Sequence, residues 1–126
     1  LRTLNISNQL QELIDQNLLS NLTNTNVVSV LPNWEDTANF SLEERTRAYF
    51  DINCAHCHSP GGNCDPISNL DLRFETRFDD TNITLHAPSI VTRTQSLIPS
   101  YSMPLIGTTI LHPEGYTMIE EYINSL

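Results

Sequence analysis

Asp51-Ile52-Asn53-Cys54-Ala55-His56-Cys57-His58-Ser59-Pro60-Gly61-Gly62 is the stretch on which the reading of this chain turns. It sets two thiols three positions apart, an imidazole directly after the second, and then Pro60, Gly61 and Gly62, which force a loop. The residues upstream lead into it. Ser41-Leu42-Glu43-Glu44 has the Ser-x-x-Glu layout of a capping box, and Ala48, Tyr49, Phe50 and Ile52 follow. The pattern predicts a helix from about Leu42 to Asn53 that hands the chain directly to Cys54.

A Cys-x-x-Cys pair serves several chemistries, and the following histidine separates them. Cys-x-x-Cys-His is the attachment signature for c-type haem: thiols at i and i+3 reach two vinyl groups, and the next imidazole reaches iron. On that reading Cys54 and Cys57 form thioethers and His58 is the proximal ligand, its second ring nitrogen donating to a backbone carbonyl or another acceptor. A thioredoxin-type dithiol needs a strand before it and a parallel sheet, and the pattern predicts neither. A structural zinc site at Cys54 and Cys57 needs a second ligand pair, for which Cys64 with His56 or His86 is the candidate.

The rest of the composition bounds the fold. With 126 residues, 39% hydrophobic and 17% charged, the chain suits one modest globular core and neither a disordered nor a membrane class. Three cysteines, two of them in one pentapeptide, make no disulfide framework. Fifteen acidic against six basic side chains give a net charge of -9, which repels a phosphate backbone and argues against a nucleic-acid partner. No stretch approaches the roughly 20 apolar residues of a membrane helix, and Leu1 to Leu10 lack a signal-peptide layout. A start at Leu1 suggests a mature or excised piece.

Outside the motif, Leu10, Leu13, Ile14 and Leu18 recur at helical spacing over Ser7 to Leu19, with Ser7 placed as an N-cap. Ser20 to Asn39 is polar around Val27 to Leu31, closed by Pro32, and reads as a connector that Trp34 could pin to a core. Leu70, Leu72 and Phe74 alternate with Asp71 and Arg73, suggesting a short extended piece without partner strands. Pro113 opens a terminal helix of about Pro113 to Ser125, with Tyr116, Ile119, Ile123 and Leu126 on one face and Glu114 in the first turn.

Taken together, these parts resemble a class I c-type cytochrome domain: a helix ending in Cys-x-x-Cys-His, a distant methionine, and a terminal helix. The resemblance covers about Ser41 to Leu126. More narrowly, Tyr49 to His58 and Leu70-Asp71-Leu72-Arg73-Phe74 resemble cytochrome c domains fused within larger exported bacterial proteins. It implies an all-α fold, cytochrome c-like, with three or more helices wrapped around one covalently bound haem c. Residues 1–126 then form a single domain, 1–40 an N-terminal extension with one helix and 41–126 the haem-binding core. It also implies that the sixth iron ligand is Met103, which precedes Pro104 in a loop as the family's distal methionine does. Of the other candidates, Met118 falls in the terminal helix as a core residue, His56 in the wrong part of the turn, and His86 and His112 in surface or core roles. Cys64 reads as a buried small residue. Arg73, Arg77 and Arg93 could fork onto haem propionates, or be ordinary surface arginines.

Bound by His58 and Met103, the iron has no open position, so the implied role is electron transfer with a redox partner protein or a fused catalytic domain. Leu72, Phe74, Leu97, Ile98 and Leu105, with the facing helix sides, would form the apolar pocket. Covalent attachment in bacteria follows export, which implies a periplasmic or extracytoplasmic location. The rival reading is a haem enzyme or gas sensor whose sixth ligand is displaceable.

Overall fold

The structure, a computed structural model, describes residues 8–126. Ser7, read as an N-cap, lies outside them. The chain divides into two compact units, Leu1–Val30 and Leu31–Leu126. Among the described residues the architecture is all-α, with five α-helices and no strand.

In the first unit, α1 (Gln9–Asp15) starts where the Asn8 side chain accepts the Leu10 amide at 3.0 Å. It stops four residues short of Leu19. Asn17 takes a left-handed φ of 57°, and the amides of Leu18 and Leu19 both turn back to the Leu13 carbonyl. A single 3-10 turn, Thr25–Val27, follows, its start held by the Asn24 side chain accepting the Asn26 amide.

The second unit is built on α2 (Leu42–Asn53). Its capping box is made reciprocally: the Ser41 hydroxyl accepts the Glu44 amide at 3.2 Å and the Glu44 carboxylate accepts the Ser41 amide at 2.8 Å. Thr46, Ala48 and Phe50 form its buried face. Then come the single-turn α3 (Phe78–Thr81), α4 (Ile83–Thr94) and α5 (Pro113–Asn124), which buries Gly115, Met118, Ile119 and Tyr122. Both α2 and α4 pack on α5. Phe50, Leu70, Leu72, Ile83, Ile90, Ile119 and Tyr122 share one core, where burying a large apolar side chain is worth about 1.5–3 kcal/mol.

The motif-based reading anticipates α2 and α5 but not α4. Pro88 stands inside α4, and its interior is rich in β-branched residues, which lowers intrinsic helix propensity. Its start also lacks a side-chain cap, because Asn82 sits in the left-handed region at φ 59° and spends its side chain on the Asn69 carbonyl. Tertiary packing makes the helix: Ile83 and Ile90, a two-turn spacing, are both buried. Over Leu70 to Phe74 the chain has neither helix nor partner strand, as the sequence suggests, but burial does not follow the alternation. Leu70, Asp71 and Leu72 are all buried, since this stretch runs through the unit rather than along a sheet face.

Residues 31–40 belong by contact with the helical unit. Trp34 packs edge-on to Tyr49 at 5.6 Å, and Arg45 donates to the Trp34 carbonyl at 3.1 Å, so the tryptophan does pin the connector. The α2–α5 crossing is set by Gly115. A methyl group there would come within 2.6 Å of His112 Nδ1 and 2.7 Å of the Tyr49 ring. Gly115→Ala is therefore expected to cost about 1–3 kcal/mol by overpacking, read as a lower midpoint in urea unfolding of the chain.

Candidate cofactor site

Cys54 is the C-cap of α2, its amide still donating to the Phe50 carbonyl at 2.8 Å. The Cys54 carbonyl then accepts the amides of Cys57 (3.1 Å) and His58 (2.9 Å), so the whole pentapeptide is a single turn continuing off the helix. The following loop folds back on that turn. Cys64 donates its amide to the Cys57 carbonyl at 3.1 Å, and Gly62 approaches so closely that a methyl there would lie 2.5 Å from the Cys57 oxygen. Cys64 is partly buried, neither sealed in the core nor free on the surface, and all three cysteines are thiols.

His58 is fixed through its backbone: its carbonyl accepts the Leu72 amide at 2.9 Å. The segment making that bond is gripped by α2. Asp51 accepts the Phe74 amide at 2.8 Å, and one turn earlier Arg47 donates to the carbonyls of Phe74 (3.0 Å) and Thr76. Asp71 braces the same segment. It takes a fork from Arg73 at 3.0 and 2.7 Å and a bond from the Thr76 hydroxyl at 3.0 Å, and this holds its carboxyl below the usual range. Arg73, one of the guanidinia considered for propionates, is thus engaged by Asp71, with Glu75 at 3.8 Å.

Met103 is positioned from the other side. Past α4 the chain doubles back, and the Met103 amide donates to the Arg93 carbonyl at 2.9 Å. The Arg93 guanidinium lies over the Tyr101 ring at 4.8 Å, while the Tyr101 hydroxyl donates to Thr92 at 3.1 Å. Ser102, beside Met103, is buried.

These elements enclose a cavity of about 270 Å³. Its wall includes Tyr49, Asn53 and Cys54 from the end of α2, Thr94 from the end of α4, Met103 and Pro104, His112, and Tyr116 and Ile119 from α5. Cys54 and Met103, far apart in sequence, therefore face the same space. Cys57 and His58 are not on its lining. His58 Nδ1 is buried without a hydrogen-bond partner, so the expected bond from its second nitrogen to a carbonyl is not made. Burial first, then the neighbouring His86, Arg93 and His56, pull His58 below the usual imidazole range. A neutral ring at pH 7 keeps a lone pair free for a metal. The Cys54 thiol is pushed up to about 12 by burial and by Cys57, the opposite of the lowered value a reactive dithiol requires.

The predicted pocket residues fare differently. Leu72 is in the core, but Leu97, Ile98 and Leu105 are 51%, 63% and 56% exposed, and neither they nor Phe74 line the cavity. Aromatic side chains do so instead. Tyr49 and Tyr116 each appear in the helical patterns of the sequence, but nothing in those patterns shows that the α2–α5 crossing turns both toward Met103. Among the alternative ligands, Met118 is buried in α5, His56 is exposed, and His86 is bonded to Asn69 Oδ1 at 2.8 Å. His112 is on the cavity wall. For the zinc alternative, no three of the His, Cys, Asp and Glu side chains among the described residues are grouped to hold a metal. Compared with protein-family models, with curated proteins and with solved structures, the chain matches none.

The bracing by Asp71 has a measurable sign. Its folded carboxyl is held below the unfolded value of about 3.9, so its contribution is fully present above that pH and is lost as pH falls through the folded value. Asp71→Asn is expected to lower stability by about 1–3 kcal/mol at pH 7. In urea unfolding, the gap from the parent chain should close when the pH is taken below about 3.9.

Proposed function

We propose that this chain is a mono-haem c-type cytochrome domain that carries single electrons. The haem would be held covalently by Cys54 and Cys57, with His58 as proximal and Met103 as distal iron ligand. The observation that carries this reading is the meeting of Cys54 and Met103 on one cavity wall, at the turn that continues through Cys57 into a neutral, part-buried His58 whose Nδ1 has no partner. These groups fit the cofactor's chemistry: two thiols at thioether spacing, an imidazole with a lone pair, and a methionine thioether on the cavity wall that Cys54 also lines.

When bound, the haem supplies an iron centre that changes oxidation state by one electron. The chain's own part is to bind, orient and exclude. His58 and Met103 would be the two protein ligands of the iron, which would leave an outside molecule no site on it. The capped α2 and the Arg47 and Asp51 bonds fix where the Cys54 to His58 turn stands. A Met103 sulfur ligand would favour the reduced iron, and Ile119, buried on the wall, would keep water from it, which together would raise the potential. Ile110 lies on the lining and is 81% exposed, so the cavity has an apolar edge open to solvent.

Electrons would pass to and from a redox partner protein or a fused catalytic domain in an extracytoplasmic compartment. The net charge of -9 favours a basic partner face. No helix among the described residues is long and apolar enough to cross a membrane.

The test is expression with haem-maturation machinery followed by visible spectra. The expected result is a haem that stays on the denatured chain, sharp reduced bands, a weak far-red methionine-to-iron band when oxidised, and no response of the reduced form to carbon monoxide. A carbon monoxide shift in the parent chain would move the assignment to a haem enzyme or gas sensor; a colourless chain would overturn the haem reading. Met103→Ala is expected to bind carbon monoxide while retaining the haem. Cys54→Ser with Cys57→Ser should release the haem on denaturation.

A further inference from the structure

We propose that Cys57 and Cys64 are a redox pair that closes to a disulfide when the chain meets a small oxidising disulfide, leaving Cys54 as the free thiol. The inference goes beyond the haem reading, because it gives Cys64 a role and needs no cofactor.

The loop after the motif brings the two residues together. Pro60, Gly61 and Gly62 reverse the chain, with Gly61 at a left-handed φ of 80°, and the Cys64 amide returns to donate to the Cys57 carbonyl at 3.1 Å. That bond limits the separation of the two Cα atoms to about 7 Å, since little more than one carbonyl and one N–Cα bond lies on either side of it, and the bend at the amide brings them nearer. A disulfide spans Cα separations of about 4.4–6.8 Å. The loop is also held in this form. The Gly62 amide donates to the Ser59 carbonyl at 2.8 Å, the Asp65 carboxylate accepts the Gly61 amide at 2.9 Å, and the Cys64 carbonyl accepts the amides of Ile67 and Ser68 at 2.9 and 2.8 Å. The chain closure that a disulfide requires is thus already made.

Cys54 stands as near to Cys57 along the backbone, through the bond from the Cys57 amide to its carbonyl, but its side chain has different surroundings. Each of the three cysteines shows some surface. Cys54, however, packs on the core at the end of α2 and lines the cavity, whereas neither Cys57 nor Cys64 is on that lining. Burial and the neighbouring Cys57 push the Cys54 thiol up to about 12, which leaves it little of the thiolate that exchange needs. Cys64 lies between the exposed Asn63 and Asp65, within reach of a molecule arriving from solvent.

The chemistry is thiol–disulfide exchange. One cysteine of the pair, as thiolate, attacks the small disulfide, forming a mixed disulfide and releasing one small thiolate; the other then attacks the mixed disulfide and releases the second. Two cysteine thiols lose two protons and two electrons, and the small disulfide takes them up to become two thiols. On the haem reading Cys57 is committed to a thioether, so a chain that carries this disulfide does not carry both thioethers.

The experiment treats the haem-free full chain with oxidised glutathione, then labels the remaining thiols with one alkylating reagent, reduces, and labels the newly released thiols with a second. Peptide fragmentation reads which cysteine carries which label. The oxidised chain should lose two hydrogens in intact mass with no glutathione attached, Cys54 should carry the first label, and Cys57 and Cys64 the second. Run in urea concentrated enough to unfold the chain, the same oxidation should give mixed pairings. In Cys64→Ser, Cys54 and Cys57 should both carry the first label. A chief product joining Cys54 to Cys57, pairings that are the same with and without urea, or a parent chain that forms no disulfide overturns the proposal. In the haem-loaded chain Cys64 should be the one cysteine that alkylates. The Cys57–Cys64 pairing in a chain that never takes haem overturns the haem reading alone, whereas a different pairing in a chain that does take haem overturns this inference alone.

Discussion

The close contact of α5 with Tyr49 at Gly115 is the constraint on which the helical unit depends. Because no side chain stands at Gly115, the first turn of α5 comes down onto the Tyr49 ring and carries His112 with it. That approach puts Ile119 and Tyr122 into the core beside Phe50, and sets Tyr116 and Ile119 along the cavity that begins at Cys54. It also gives Trp34 a pair of rings to close against. One small residue thereby fixes a helix crossing, a core and a site wall together, because packed interiors transmit a displacement of even a methyl group.

A second set of restraints acts on the backbone. The Cys54 to His58 turn has no sheet behind it, and the segment beneath it from Leu70 to Thr76 has no regular structure. Its amides and carbonyls still require partners once buried. Asp51 and Arg47, one turn apart on α2, supply an acceptor and a donor, the Thr81 carbonyl takes the Asp71 amide, and the His58 carbonyl takes the Leu72 amide. Asp71 is buried among apolar neighbours and remains charged only because Arg73 and Thr76 satisfy its oxygens. The polar residues of this short segment thus serve to hold an irregular strand of backbone against the motif, leaving Arg73 committed locally.

The arrangement also explains why ionisable groups at the site are shifted in the directions found. Cys54 and Tyr49 lie where burial penalises the anion, and His58 lies where burial and three positively inclined neighbours penalise the cation.

The sequence by itself determined the local features: the capping box that starts α2, the helix that ends at Cys54, the thiol and imidazole spacing of Cys54, Cys57 and His58, the proline-led α5, and the burial of Met118. Each rests on residues within a turn or two of one another, where spacing and propensity act directly. The tertiary structure decided what depends on distant contacts. It made α4 a helix despite Pro88, buried Asp71 along with Leu70 and Leu72, engaged Arg73 internally, and left Leu97, Ile98 and Leu105 exposed in favour of Tyr49, Tyr116 and His112 on the cavity wall. Sequence pattern tells which side chains seek an apolar environment. Which space they share is set by how closely α2 and α5 can approach, and that is a property of the folded packing at Gly115.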